Sequence, residues 1–154
     1  MLLPSASVQD LIAKSGDLAH RWTVEQAIER LAASAEGRLP STHPPVALTV
    51  YDVSARSADA LAKAEALADH VACSPTLVTL DLSGNKFGCA GVRPFAGALA
   101  AGARLTALDL AENRIALAGA QALADALGRT ASLTMLELRA NALADAGAYA
   151  IARA

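Results

Sequence analysis

The sequence predicts an α/β fold, a right-handed solenoid of stacked strand–turn–helix units that forms a horseshoe segment. Parallel strands line its concave face, helices cover its convex face, and a helical cap closes its N-terminal end. Three observations lead there. Blocks of one pattern recur, each starting 28 residues after the last: Leu77-x-x-Leu80-x-Leu82-x-x-Asn85, Leu105-x-x-Leu108-x-Leu110-x-x-Asn113 and Leu133-x-x-Leu136-x-Leu138-x-x-Asn141. Glycine keeps the same beat at Gly91, Gly119 and Gly147. Apolar residues then follow at intervals of four, as Phe95 and Leu99, Leu123 and Leu127, and Ile151. A fixed period of this length marks a stack of identical units, none of which buries its apolar side alone.

The N-terminal 37 residues read as helical but lie outside the repeat. Ser7 is placed to cap a short helix with Val8, Leu11 and Ile12 on one face. Thr23 and Gln26 have capping-box spacing, with Val24, Ala27, Ile28 and Leu31 following on one helical stripe and Gly37 as the stop. Trp22 is expected to anchor this cap to the repeats. Residues 38–45 hold three prolines, each removing a backbone donor, and serve as a connector. The cap and connector thus occupy 1–45 and about four repeats occupy 46–154.

Leu48-x-x-Tyr51-x-Val53-x-x-Arg56 reads as a degenerate first repeat (46–76), one residue longer than the others, with Leu61, Leu67 and Val71 on its helix. Units 77–104 and 105–132 are complete, and unit 133–154 is incomplete. Inside each block the period changes. Leu80 and Leu82 alternate as a strand does, facing inward with Asp81 outward. After the Asn the spacing of four is helical. Helices are wider than the ~4.8 Å strand spacing, so the stack curves with strands inside. Asn85, Asn113 and Asn141 fall where the chain leaves the strand. Their amides both donate and accept, which suits a structural ladder satisfying the turns of their own and adjacent units. Arg56 cannot accept, which places the first repeat at the end of that ladder.

The pattern L-x-x-L-x-L-x-x-N-x-(L/I/F)-x-x-x-G-x-x-x-(L/F)-x-x-x-L, as it stands at 77–99 and 105–127, resembles the ribonuclease-inhibitor class of leucine-rich repeats. Similar repeats occur in NOD-like receptors and in some bacterial effectors delivered into host cells. The resemblance implies a leucine-rich-repeat solenoid, usually cytoplasmic, that binds other proteins.

The bulk composition narrows the function. Apolar residues make up 54% of the 154, yet aromatics only 3%, so Leu, Val, Ile and Ala build the core. A net charge of −2 with scattered Arg and Lys gives neither a nucleic-acid footprint nor a membrane anchor. No apolar run reaches the ~20 residues of a membrane span, and the N-terminus lacks secretory-signal character, since Pro4, Gln9, Asp10 and Lys14 interrupt it. Cys73 and Cys89 are read as two reduced, partly buried thiols, with a regulatory disulfide as the alternative. His20, His43 and His70 accompany no recognisable nucleophile, and Gly84, Gly88 and Gly91 lack the residues of a phosphate loop. No catalytic residue, cofactor or metal is expected.

Concave-face side chains are the natural contact surface for a protein partner. The central outward position reads Asp52, Asp81, Asp109 and Glu137, one carboxylate per repeat, an acidic stripe that favours a basic partner. Flanking positions vary, as Val50, Thr79, Ala107 and Met135 on one side and Ser54, Ser83, Ala111 and Arg139 on the other, with Glu112 just beyond. Met135, Glu137 and Arg139 combine an apolar anchor with fixed charge, although Glu137 and Arg139 stand close enough to pair. Two other readings are open. By resemblance to the Ran GTPase-activating protein, a regulatory role would use Arg56 or Arg139. A self-associating segment would use the uncapped C-terminal edge to form a homodimer.

Overall fold

The computed structural model describes residues 21–37, 47–50 and 59–154. The helix expected after Ser7, the proline connector, His20, His43, Tyr51, Asp52, Val53, Ser54 and Arg56 lie outside them. Helices and strands alternate: β1 (Arg21–Trp22), α1 (Val24–Ala35), β2 (Ala47–Val50), α2 (Ala60–Cys73), β3 (Thr79–Asp81), α3 (Gly88–Ala100), β4 (Ala107–Asp109), α4 (Leu117–Leu127), β5 (Met135–Glu137) and α5 (Ala144–Ala152). All strand pairs are parallel, in the order β1-β2-β3-β4-β5. Each helix packs on the next, so the helices form one layer against the sheet.

The first helix forms where its capping signals predict. Thr23 Oγ1 accepts from the Gln26 N–H, Gln26 Oε1 accepts from the Thr23 N–H, and Gly37 takes a positive φ just past the end. Val24, Ala27 and Leu31 are buried, and Trp22 and Ile28 pack on the core edge. Arg21 and Trp22 form a short strand instead of extending the helical cap, because they pair with Thr49 and Val50 of β2. No hydrophobic period in so short a segment announces that.

Between the repeats, Leu80 pairs with Leu108 and Leu108 with Leu136, a shift of 28 residues each time. The first repeat is placed differently from the sequence reading. Leu48, rather than Tyr51, pairs with Leu80, so this unit is offset by 32 residues, and Val50 lies in the core instead of facing outward. Leu48 and Val50 supply the inward alternation, and Val50 C=O receives the Asn85 amide, which locks that register. On α2 the buried stripe runs Ala60, Ala64, Leu67, Ala68 and Val71, leaving Leu61 one residue off the stripe and 45% exposed.

Candidate interaction surface

Strand alternation sends Leu80, Leu82, Leu108 and Leu110 into the helix-facing core and the residues between them to the opposite sheet face. On that face the register assembles two rows. Ala47, Thr79, Ala107 and Met135 form one, and Ala47, Ala107 and Met135 pack together apart from the main core. Thr49, Asp81, Asp109 and Glu137 form the other.

The three carboxylates of that row share a position but not an environment. Asp81 and Asp109 are 3% and 1% exposed. Asp81 Oδ1 accepts from the Ser83 N–H and Asp109 Oδ1 from the Ala111 N–H, both at 2.8 Å. Each aspartate thereby satisfies the turn two residues beyond its strand, the bond a short carboxylate makes best. Glu137 is one methylene longer. Its side chain is 31% exposed and meets Arg139, whose Nε lies 3.8 Å from Glu137 Oε1 and whose side chain is 64% exposed. The open acidic stripe expected along the repeats is therefore a buried structural row that reaches solvent at β5.

Exposed charge gathers at the turn after β4 and along β5. Glu112 and Arg114 are exposed, Met135 is half-buried, and Arg139 is exposed. Glu112 and Arg114 both hold left-handed backbone, with φ of 57° and 59°. Gly84 and Ala140 occupy the position of Glu112 in the neighbouring repeats with φ of 73° and 54°. The turn demands that conformation, and a non-glycine residue there is strained. The repeat pattern does not single out Arg114; Gly84, one period before Glu112, is the signal in the sequence that this turn is left-handed and turns its side chains outward.

The Asn ladder underlies the surface. Asn85 Nδ2 donates to the carbonyls of Val50 (2.9 Å) and Leu82 (2.8 Å), Asn113 Nδ2 to Leu82 (2.8 Å) and Ala111 (3.0 Å), and Asn141 Nδ2 to Leu110 (2.8 Å) and Leu138 (3.0 Å). Asn113 Oδ1 accepts from Phe87 N–H, and Asn141 Oδ1 from Asn113 and Ile115 N–H. Every amide thus ties its own turn to the preceding unit.

A family model described as Leucine Rich repeat matches residues 73–96, 105–124 and 131–152. The chain is a leucine-rich-repeat protein. No curated protein matches this repeat protein. Among solved structures it is similar to a chain titled leiomodin-1 actin-binding site 2 (ABS2), with a TM-score of 0.63 and 18% identity, covering 81% of this chain and 69% of that one. At that identity the likeness is one of fold. The family is a repeat family, typically non-catalytic and generally protein-binding.

On the helix side of the leucine-rich-repeat stack, an open groove of about 570 Å³ runs between α2 and α3, with Leu61, Glu65 and Asp69 on one wall and Arg93 and Pro94 on the other. Cys73 is exposed, while Cys89 is half-buried and its Sγ accepts from the Ala116 N–H at 3.4 Å; both are free thiols. Among the described residues no His, Cys, Asp and Glu cluster is arranged to hold a metal ion, and no helix is long and apolar enough to cross a membrane.

Proposed function

We propose that this leucine-rich-repeat protein is a non-catalytic binding module that holds a protein partner on the sheet side, at its C-terminal end. Glu112, Arg114, Met135, Glu137 and Arg139 form the contact patch. The observation that carries this reading is the split of the carboxylate row. Asp81 and Asp109 are committed to their own turns, while Glu137 and the neighbouring Glu112 present charge to solvent.

The patch suits a partner with alternating charge and an apolar residue to meet Met135, instead of the uniformly basic surface a continuous stripe would select. Rigid backbone beneath it limits the ordering cost of binding. Residues 46–154 act as the repeat array and 1–45 as its cap. Two free thiols without disulfides accord with a cytoplasmic setting.

Actin is a defined first probe, because the leiomodin-1 segment of similar fold is titled an actin-binding site. Binding is measured by co-sedimentation with actin filaments, and by chemical cross-linking in lysate for other partners. Each uses wild type beside the Glu112→Lys/Arg114→Glu variant. Loss of the bound protein in the variant, with circular dichroism unchanged, supports the patch. Equal capture by both proteins moves the site to the helix side.

A further inference from the structure

We propose that the groove between α2 and α3, on the helix side, takes an amphipathic helix of a partner protein. Its aliphatic stripe faces the groove, its lysines or arginines run along α2, and a carboxylate faces Arg93. The groove holds about 570 Å³ and is lined by Leu61, Glu65 and Asp69 from α2, by Arg93, Pro94 and Gly97 from α3, and otherwise by alanines. Leu61, large and apolar, is 45% exposed at its rim. A groove between two helices with small side chains on its floor receives the ridge of a third helix. The inference does not rest on the partner patch, which lies on the sheet side.

Among the described residues, nothing inside the chain requires glycine at Gly97. Gly91, Gly119 and Gly147 are fixed by their neighbours, since an added Cβ would come within 2.8, 2.7 and 3.1 Å of the Phe87, Ile115 and Ala120 side chains. An added Cβ at Gly97 would meet nothing within 4 Å. Glycine inside a helix is destabilising relative to alanine, and Gly97 C=O accepts from the Ala101 N–H as any helical carbonyl does. What the missing side chain provides is close approach of another backbone over the groove.

Charge selects the occupant. Glu65 and Asp69 are exposed and stand four residues apart on α2, a spacing at which like charges repel. Arg93 is exposed on the opposite wall. Among the described residues, none of the three takes part in an ion pair. A helix lying along the groove turns one flank to α2 and the other to α3. Cations at the same spacing on the first flank meet both carboxylates, and an anion on the second meets Arg93. A second copy of this chain offers no such helix among its described residues: α1, α2 and α3 each carry a single lysine or arginine, and α4 and α5 carry none.

The test is selection, on the full chain, from a displayed library of single helices with a fixed leucine and alanine stripe and randomised flanks. Affinities of the selected peptides are read by fluorescence anisotropy. The expected winners carry lysine or arginine at a spacing of four on one flank. Gly97→Leu should weaken them about tenfold or more while melting no lower than wild type, because a Cβ there meets open space. Glu65→Lys/Asp69→Lys should weaken them by a similar factor and select glutamate-rich flanks instead. Winners without the basic flank, unchanged affinity in either variant, or no winner at all overturn the proposal. A wild type that dimerises in sedimentation equilibrium and is made monomeric by Gly97→Leu overturns it in favour of a second copy. Glu112→Lys/Arg114→Glu should bind the peptides as wild type does, which separates failure of this groove from failure of the partner patch.

Discussion

The side-chain oxygen of Asn141 accepts the backbone N–H of Asn113 at 3.0 Å, so one ladder residue satisfies the backbone of the other, a full repeat away. Asn113 is itself fully buried, and its amide reaches back to Leu82 and Ala111. The two asparagines couple three repeats through four hydrogen-bonding groups that water does not reach well. Stability should therefore be unequal along the ladder.

Asn113→Ala removes a buried amide and leaves the Phe87 N–H without an acceptor. A loss of about 2–4 kcal/mol in unfolding free energy is expected. Asn141→Ala, at a part-exposed position, should cost about half as much. Urea denaturation of both variants checks the order.

Asp109→Lys and Glu137→Lys make the same change of charge at registered positions. The first breaks a buried bond to the Ala111 N–H and buries an unpaired ammonium, an expected cost of about 3 kcal/mol or more. The second loses a half-exposed ion pair worth about 0–1 kcal/mol. Thermal unfolding of the two variants distinguishes a structural acid from a surface one.

Glu112→Gly relieves a left-handed backbone at φ 57° and should raise stability by about 0.5–1 kcal/mol, net of the freer unfolded chain. Partner binding should weaken in the same variant. A gain in melting temperature together with unaltered capture would show that Glu112 does not touch the partner.

Gly119→Ala tests the glycine that keeps the repeat's beat. A Cβ there would lie 2.7 Å from Ile115 Cγ2, 3.1 Å from Val92 Cγ1 and 3.3 Å from the Cys89 Cα. Helices α3 and α4 approach too closely for it, and a loss of about 1–3 kcal/mol is expected in denaturant titration.

Glu25 joins α1 to α2 through Lys63, with Nζ 2.7 Å from its carboxylate. The hydrogen bond from Lys63 is the main reason its pKa falls below 4.5. A depressed folded-state pKa means the contribution is present above the unfolded value and lost as pH falls through the folded one. Both side chains are well exposed, so the tie should be worth no more than about 1 kcal/mol. Lys63→Ala should return the Glu25 titration toward 4.5, read by carboxyl NMR shifts.

Much of the fold was legible because each repeat writes it locally. Leucine alternation, the Asn at each strand end and the Gly of each helix recur with one period, and Leu80↔Leu108↔Leu136 pair as that period requires. The first repeat was misaligned because Tyr51 and Val53 imitate the leucine pattern. The pairing Leu48↔Leu80 depends on which strand fits its neighbour, and no spacing within one segment reports that. The β1 strand was hidden for the same reason.

The sequence by itself determined the repeat, its strand and helix periods, the asparagine ladder and the row in which Asp81, Asp109 and Glu137 lie. These follow from the chain's own periodicity, which acts between near neighbours. Only the tertiary structure decided that Asp81 and Asp109 are buried turn acceptors while Glu137 meets Arg139 at the surface. It also decided that Leu133, Leu136 and Leu138 are half-buried where Leu105, Leu108 and Leu110 are buried. Burial is set by what packs across a residue from elsewhere in the chain, and registered positions in a stack need not share the same neighbours.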